Sequence, residues 1–207
     1  MNNDFEDFEE EQEAEEFPKL VAIPKEFYSE ATGKPFECCS VCEKGLLQPE
    51  TWYMVEKAVK RYVKYNVQDI IFEYAICMEC HAEMEARLST ESKQNMQEYM
   101  RTHADLEARA DAFYDREDFD VNSWIGQCAV TGVPRAELTE YQMVASFNGD
   151  KMAYTLMPLI LGMKALDEMV QLLSNKSLDE LNDFKDRITG MPPDLRELFK
   201  ESKFVMI

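Results

Sequence analysis

The sequence predicts an α+β protein built from two short hairpin-and-helix units, and three observations carry that prediction. Two Cys-x-x-Cys pairs, Cys39-Ser-Val-Cys42 and Cys77-Met-Glu-Cys80, are separated by 34 residues. Before the second pair, Ile70, Phe72, Tyr74 and Ile76 alternate as a strand does, and the chain then passes into a helical pattern over 81–88. Farther on, Asn148-Gly149-Asp150 joins 140–147 to 151–157, and Asn-Gly supplies the positive φ values of a tight hairpin turn. With 207 residues, 45% hydrophobic and 11% aromatic, the chain can bury a real core as one large domain or two small ones.

The chain divides into four regions: an acidic tail (1–16), a metal-binding module (17–102), an acidic helical connector (103–122) and a metal-free module (123–207). The tail holds nine of the 41 acidic residues, with Phe5 and Phe8 as its aromatics, and reads as disordered. It is either a solvating segment or a docking segment for a basic, apolar groove. Residues 20–23 suit a short strand, and Pro24, Gly33 and Pro35 punctuate the stretch between that strand and the first cysteines. Residues 39–45 form a tight metal-binding turn, with Gly45 easing the reversal. Residues 52–65 fit either a strand or a helical stripe, and 66–69 a turn. A helix over 90–101 has Ser89 as its N-cap; 105–118 is helical and so charged that it must be solvated. Ser177-x-x-Glu180 is a capping-box signature for a helix ending near Gly190, and Pro192-Pro193 precedes a short amphipathic helix.

Four thiolates from two such pairs complete a tetrahedral shell around zinc, which leaves no open coordination position and marks a structural ion. The predicted ligands are Cys39, Cys42, Cys77 and Cys80; iron in the same sulfur set stays open, as does Cys38 in place of Cys39. Cys128 reads as a buried small hydrophobe, His81 and His103 as helix histidines outside the site.

Knuckle, hairpin, then a helix whose first turn carries the second ligand pair: over about 36–90 this order resembles the treble-clef zinc-finger group. The resemblance implies Cys39 and Cys42 as knuckle ligands, Cys77 and Cys80 as helix-start ligands. Cys128-Ala-Val-Thr131-Gly132 looks like the same knuckle with its second ligand lost. Matching Tyr74-Ala-Ile-Cys77 to Tyr154-Thr-Leu-Met157 places Met157 and Ile160 where the first copy has Cys77 and Cys80. The rival reading is a generic hairpin followed by helices.

Charge and motif content narrow the function. The net charge is −19, of which −10 remains outside the tail, and this disfavours general attraction to phosphate backbones or anionic lipid. A basic cluster, Lys57, Lys60, Arg61 and Lys64, interleaved with tyrosines, is a candidate nucleic-acid surface; its plain alternative is a solvated hairpin. No P-loop, Gly-x-Ser-x-Gly or His-Glu-x-x-His pattern occurs. The acidic first residues are unlike a signal peptide, and no apolar run spans a bilayer. The expectation is a non-enzymatic, cytoplasmic zinc protein that binds a protein partner. A nucleic-acid-associated regulator, and a hydrolase with its site between the modules, are the alternatives.

Overall fold

β-branched and aromatic residues make up half of 52–62 and 67–77, and both stretches form long strands rather than helices. The computed structural model describes residues 17–65 and 67–189. The acidic tail and the segment after Pro192 lie outside the described residues. The order is β1 (Lys19–Ala22), β2 (Trp52–Tyr62), β3 (Val67–Cys77), α1 (Met78–Arg87), α2 (Thr90–His103), α3 (Leu106–Tyr114) and α4 (Val121–Trp124). Then come β4 (Glu140–Asn148), β5 (Lys151–Tyr154), β6 (Leu159–Gly162), α5 (Met163–Gln171) and α6 (Asn175–Thr189). The molecule is therefore a mixed α+β protein. No described helix is long and apolar enough to cross a membrane.

All six strands join one antiparallel sheet in the order β1-β5-β4-β2-β3, with β6 continuing along β4 after β5 ends. The central contact is β2 with β4, where Glu56 stands opposite Val144. β2 ends at Tyr62 in a 3-10 turn, Val63–Tyr65, so Lys64 leaves the strand. Side chains from both halves, including Tyr53, Tyr74, Phe147, Leu161 and Phe184, form one continuous core. The period-2 alternation of the strands places the residues of this core on the sheet faces.

The connector is less solvated than its charge suggests. Asp105 caps α3 by accepting from the Ala108 amide. Phe113 stacks on Trp124 at 4.6 Å, and the Arg109 guanidinium lies over both rings. Arg109 donates to the carbonyls of Trp124 and Pro158. Burial without a counter-charge lowers its pKa to about 10.

Two helix starts meet at a ring of four serines. Ser89 caps α2 by accepting from the Ser92 amide at 3.1 Å, and Ser174 does the same for the Ser177 amide at 3.3 Å. The predicted cap at Ser177 thus moves three residues back. The pairs also exchange bonds: the Ser89 amide donates to Ser177 Oγ, and the Ser174 amide to Ser92 Oγ, both at 2.9 Å.

Candidate metal centre

Cys39, Cys42, Cys77 and Cys80 come together with their four Sγ atoms all within 4.8 Å of one another. Cys42 Sγ and Cys77 Sγ lie 3.7 Å apart. Thiolates about 2.3 Å from a tetrahedral ion stand roughly 3.8 Å from each other, so the set fits a metal ion such as zinc. Cys39, Cys77 and Cys80 are buried; Cys42 is exposed at the rim. Cys38 is exposed and outside the cluster.

Local backbone bonds shape the site. The Cys39 amide donates to the Lys44 carbonyl, and the Glu43 amide to the Cys39 carbonyl, both at 2.9 Å. The turn forces Glu43 to φ +61°, a left-handed conformation that favours glycine. Cys77 is the N-cap of α1, so Cys80 lies one turn along the same helix face. The knuckle is tied to β3 by the Ser40 amide donating to the Ala75 carbonyl at 2.8 Å.

Electrostatics favour one thiolate first. Burial pushes the Cys39 thiol up, but amides of Cys77, Cys42 and Val41 and the Cys42 thiol outweigh it and hold its pKa below the ordinary value. Cys77 is pushed up to about 11, and Cys80 up as well, chiefly by burial. A bound cation reverses that penalty, because coordinating thiols are deprotonated by the metal itself. Lys44 and Glu79 form an ion pair of 2.7 Å at the rim. The Lys44 hydrogen bond holds the Glu79 carboxyl down to about 2.

The loop at Cys128 repeats the main backbone bonds of this turn. The Cys128 amide donates to the Val133 carbonyl and the Gly132 amide to the Cys128 carbonyl, both at 2.9 Å. The Ala129 amide donates to the Ile160 carbonyl at 2.9 Å. The amide of Gly162, the N-cap of α5, donates to Cys128 Sγ at 3.3 Å, as the Cys77 amide does to Cys39 Sγ at 3.4 Å. Gly132 sits at φ +67°, the place of Glu43. β6 pairs Tyr141 with Gly162, as β3 pairs with Tyr53 at Cys77. The counterparts of Cys77 and Cys80 are therefore Gly162 and Ala165, not Met157 and Ile160. Local similarity of the two Tyr-initiated stretches puts the match on β5, but the chain breaks strand at 155–158 before reaching the equivalent helix start.

The four basic residues are not brought to one surface. Lys57 is buried, donating to the Tyr28 carbonyl at 2.5 Å and pairing with Glu73 at 3.1 Å. Lys60 lies on the opposite face of β2, paired with Glu140 at 2.7 Å. Arg61 donates to the Arg135 carbonyl at 2.7 Å, and Lys64 lies over the Tyr65 ring.

A groove beside α1 had no sequence signal of its own. His81 lines this apolar groove of about 270 Å³ with Leu88, Met96, Met100 and Met169, and its buried Nε2 has no partner among the described residues. Compared with protein-family models, curated proteins and solved structures, the chain returns no match. Fold and site together define an α+β protein with a tetracysteine cluster suited to a metal ion.

Proposed function

We propose that the protein is a non-enzymatic, cytoplasmic zinc protein that acts as an interaction or adaptor module. Its metal unit is treble-clef-like, and the half from about 125 to 175 is a metal-free copy of it. The single observation that carries the metal assignment is the four-thiol set gathered from a knuckle and a helix start. Such a set fills the coordination of zinc from the protein alone, which suits an ion that holds structure. Thiols held free for a metal belong in a reducing compartment.

The matched hydrogen bonds around Cys39 and Cys128 support the duplicated plan. Zinc fixes the start of α1, and α1 and α2 wall the methionine-lined groove beside His81. Methionine-rich grooves adapt to apolar side chains of a partner. Its polar lining is mixed in charge: Glu85 from α1 stands with Lys93 and Gln97 from α2. The proposed partner is therefore an amphipathic protein segment with an apolar anchor and a polar outer face.

Metal content and binding test the two parts separately. Purified protein is expected to carry one zinc per chain, lost together with folding in Cys77→Ser. A partner recovered with the native chain is expected to be lost in Met96→Asp while zinc content and melting temperature hold. Retention of that partner by Met96→Asp overturns the groove assignment, and iron in place of zinc overturns the metal assignment.

A further inference from the structure

The sheet sorts the basic residues of β2 by face, and the sorting creates a site. Lys57 and Arg61 point to the same side, away from Lys60, and line a cleft of about 430 Å³ with Lys25 and Arg135. Lys57 is committed to Glu73 and the Tyr28 carbonyl. The two arginines are not neutralised in this way. Arg61 is pinned through Nη1 to the Arg135 carbonyl, and Arg135 donates through Nη2 to Asn122 Oδ1 at 3.1 Å. Both acceptors are neutral, and neither guanidinium has a carboxylate within ion-pair distance among the described residues.

The cleft also has the other parts of a small-molecule site. The phenol of Tyr141 stands in the field of both guanidiniums, which pull its pKa down against the stronger upward push of burial. Val59, Ile70 and Met143 supply apolar wall, and Glu26 and Glu30 at the lining limit the net positive charge. Concave pockets of this size with a few converging polar groups are the usual form of a ligand site.

We infer that this cleft binds a small organic anion bearing a phosphate or carboxylate, gripped by Arg61 and Arg135. Guanidinium forks match both groups bidentately and keep their charge at any working pH. A nucleic-acid strand fits less well. Lys60 is spent on Glu140 across the sheet, Lys64 is beyond the strand end, and the chain's −19 repels a polyanion more than a small one.

Calorimetric titration of the full chain at low ionic strength tests the site, with inorganic pyrophosphate as the phosphate probe and citrate as the carboxylate probe. Saturable one-to-one binding of either is expected, and which one binds names the recognised group. Affinity should fall about tenfold or more in Arg61→Gln and in Arg135→Gln, the usual scale for a lost charge-assisted hydrogen bond. Lys60→Gln should leave it unchanged. Thermal melts accompany each variant; if Arg61→Gln unfolds, Arg135→Gln, on its short 3-10 turn, decides. The site is overturned if neither probe saturates, or if Lys60→Gln weakens binding as much as the folded arginine variants do. It is also overturned if a single-stranded oligonucleotide displaces both probes and depends on Lys60 and Lys64.

Discussion

The loop at Cys39 and the loop at Cys128 share their backbone hydrogen bonds, yet one gathers four thiols and the other keeps a single thiol among apolar groups. Where the first has Cys42, Cys77 and Cys80, the second has Thr131, Gly162 and Ala165. Leu138 fills the space beside Gly162: a Cβ added there would meet Leu138 Cδ2 at 2.8 Å. Ile160, Leu161, Ala165 and Leu166 are essentially fully buried around it. The same backbone turn thus carries a four-thiol cluster in one half and side-chain volume in the other. Burial of apolar surface can supply locally what coordination supplies where a four-thiol set holds a metal.

The sharpest way to break the comparison is to remove one sulfur from each half. Cys77→Ser should abolish metal retention and unfold the first half, because metal binding at such a site is folding free energy. Cys128→Ala removes only an acceptor for the Thr131 and Gly162 amides. It should cost about 1–3 kcal/mol, at roughly 2–4 °C of Tm per kcal/mol for a chain of this size. Melting curves and metal analysis of both variants measure the contrast; similar losses would mean that Cys128 is not a bystander.

The converse experiment rebuilds the missing site. Thr131→Cys, Gly162→Cys and Ala165→Cys, joined to Cys128 and combined with Leu138→Ala to clear the space, should raise native-mass stoichiometry to two metals per chain. A single metal in a folded variant would limit the equivalence of the halves to their backbones.

The Glu56–Val144 pair is the next contrast, since the two residues face each other at the centre of the β2–β4 contact. Glu56 is buried; it accepts from Tyr74 Oη at 2.7 Å, and its Oε1 has no partner among the described residues. Burial pushes its pKa up to about 8, against the Tyr74 hydrogen bond that lowers it. The folded state therefore holds a proton that the unfolded chain releases near its ordinary value of 4.5. Stability from this group is full below about pH 4.5 and falls as pH rises toward about 8, at up to about 1.4 kcal/mol per pH unit. Glu56→Gln keeps the acceptor for Tyr74 and cannot ionise. It should be more stable than the native chain above pH 8 and lack that component of the slope; parallel pH profiles of the two proteins would refute the buried acid.

Chemistry that is local in sequence was legible before the fold. The cysteine spacing named the four thiols that cluster, period-2 alternation found β3, and Ser89 announced the start of α2. Properties that depend on pairing between distant strands were not. Lys57 looked like a surface cation, but its burial requires Glu73 on β3 and the Tyr28 carbonyl to meet it. The register of the second half was hidden for the same reason: β5 and β6 divide one edge of β4, and no local motif marks that division. The cap at Ser174 was masked by a better-looking signature three residues on.

The serine ring gives the smallest and most symmetric test. Each buried hydroxyl, Ser92 Oγ and Ser177 Oγ, accepts the amide of the cap residue on the other helix. Removing either leaves the half-buried amide of Ser89 or Ser174 unpaired, so Ser92→Ala and Ser177→Ala should each cost about 1–2 kcal/mol. If the two halves meet here as equivalents, the single costs should agree within about 0.5 kcal/mol. The double variant should cost less than their sum, because Ser92 and Ser177 belong to one hydrogen-bond network. Denaturant melts of the three variants measure this directly. Unequal single costs, with strict additivity in the double, would mean that two unrelated caps merely touch at this point.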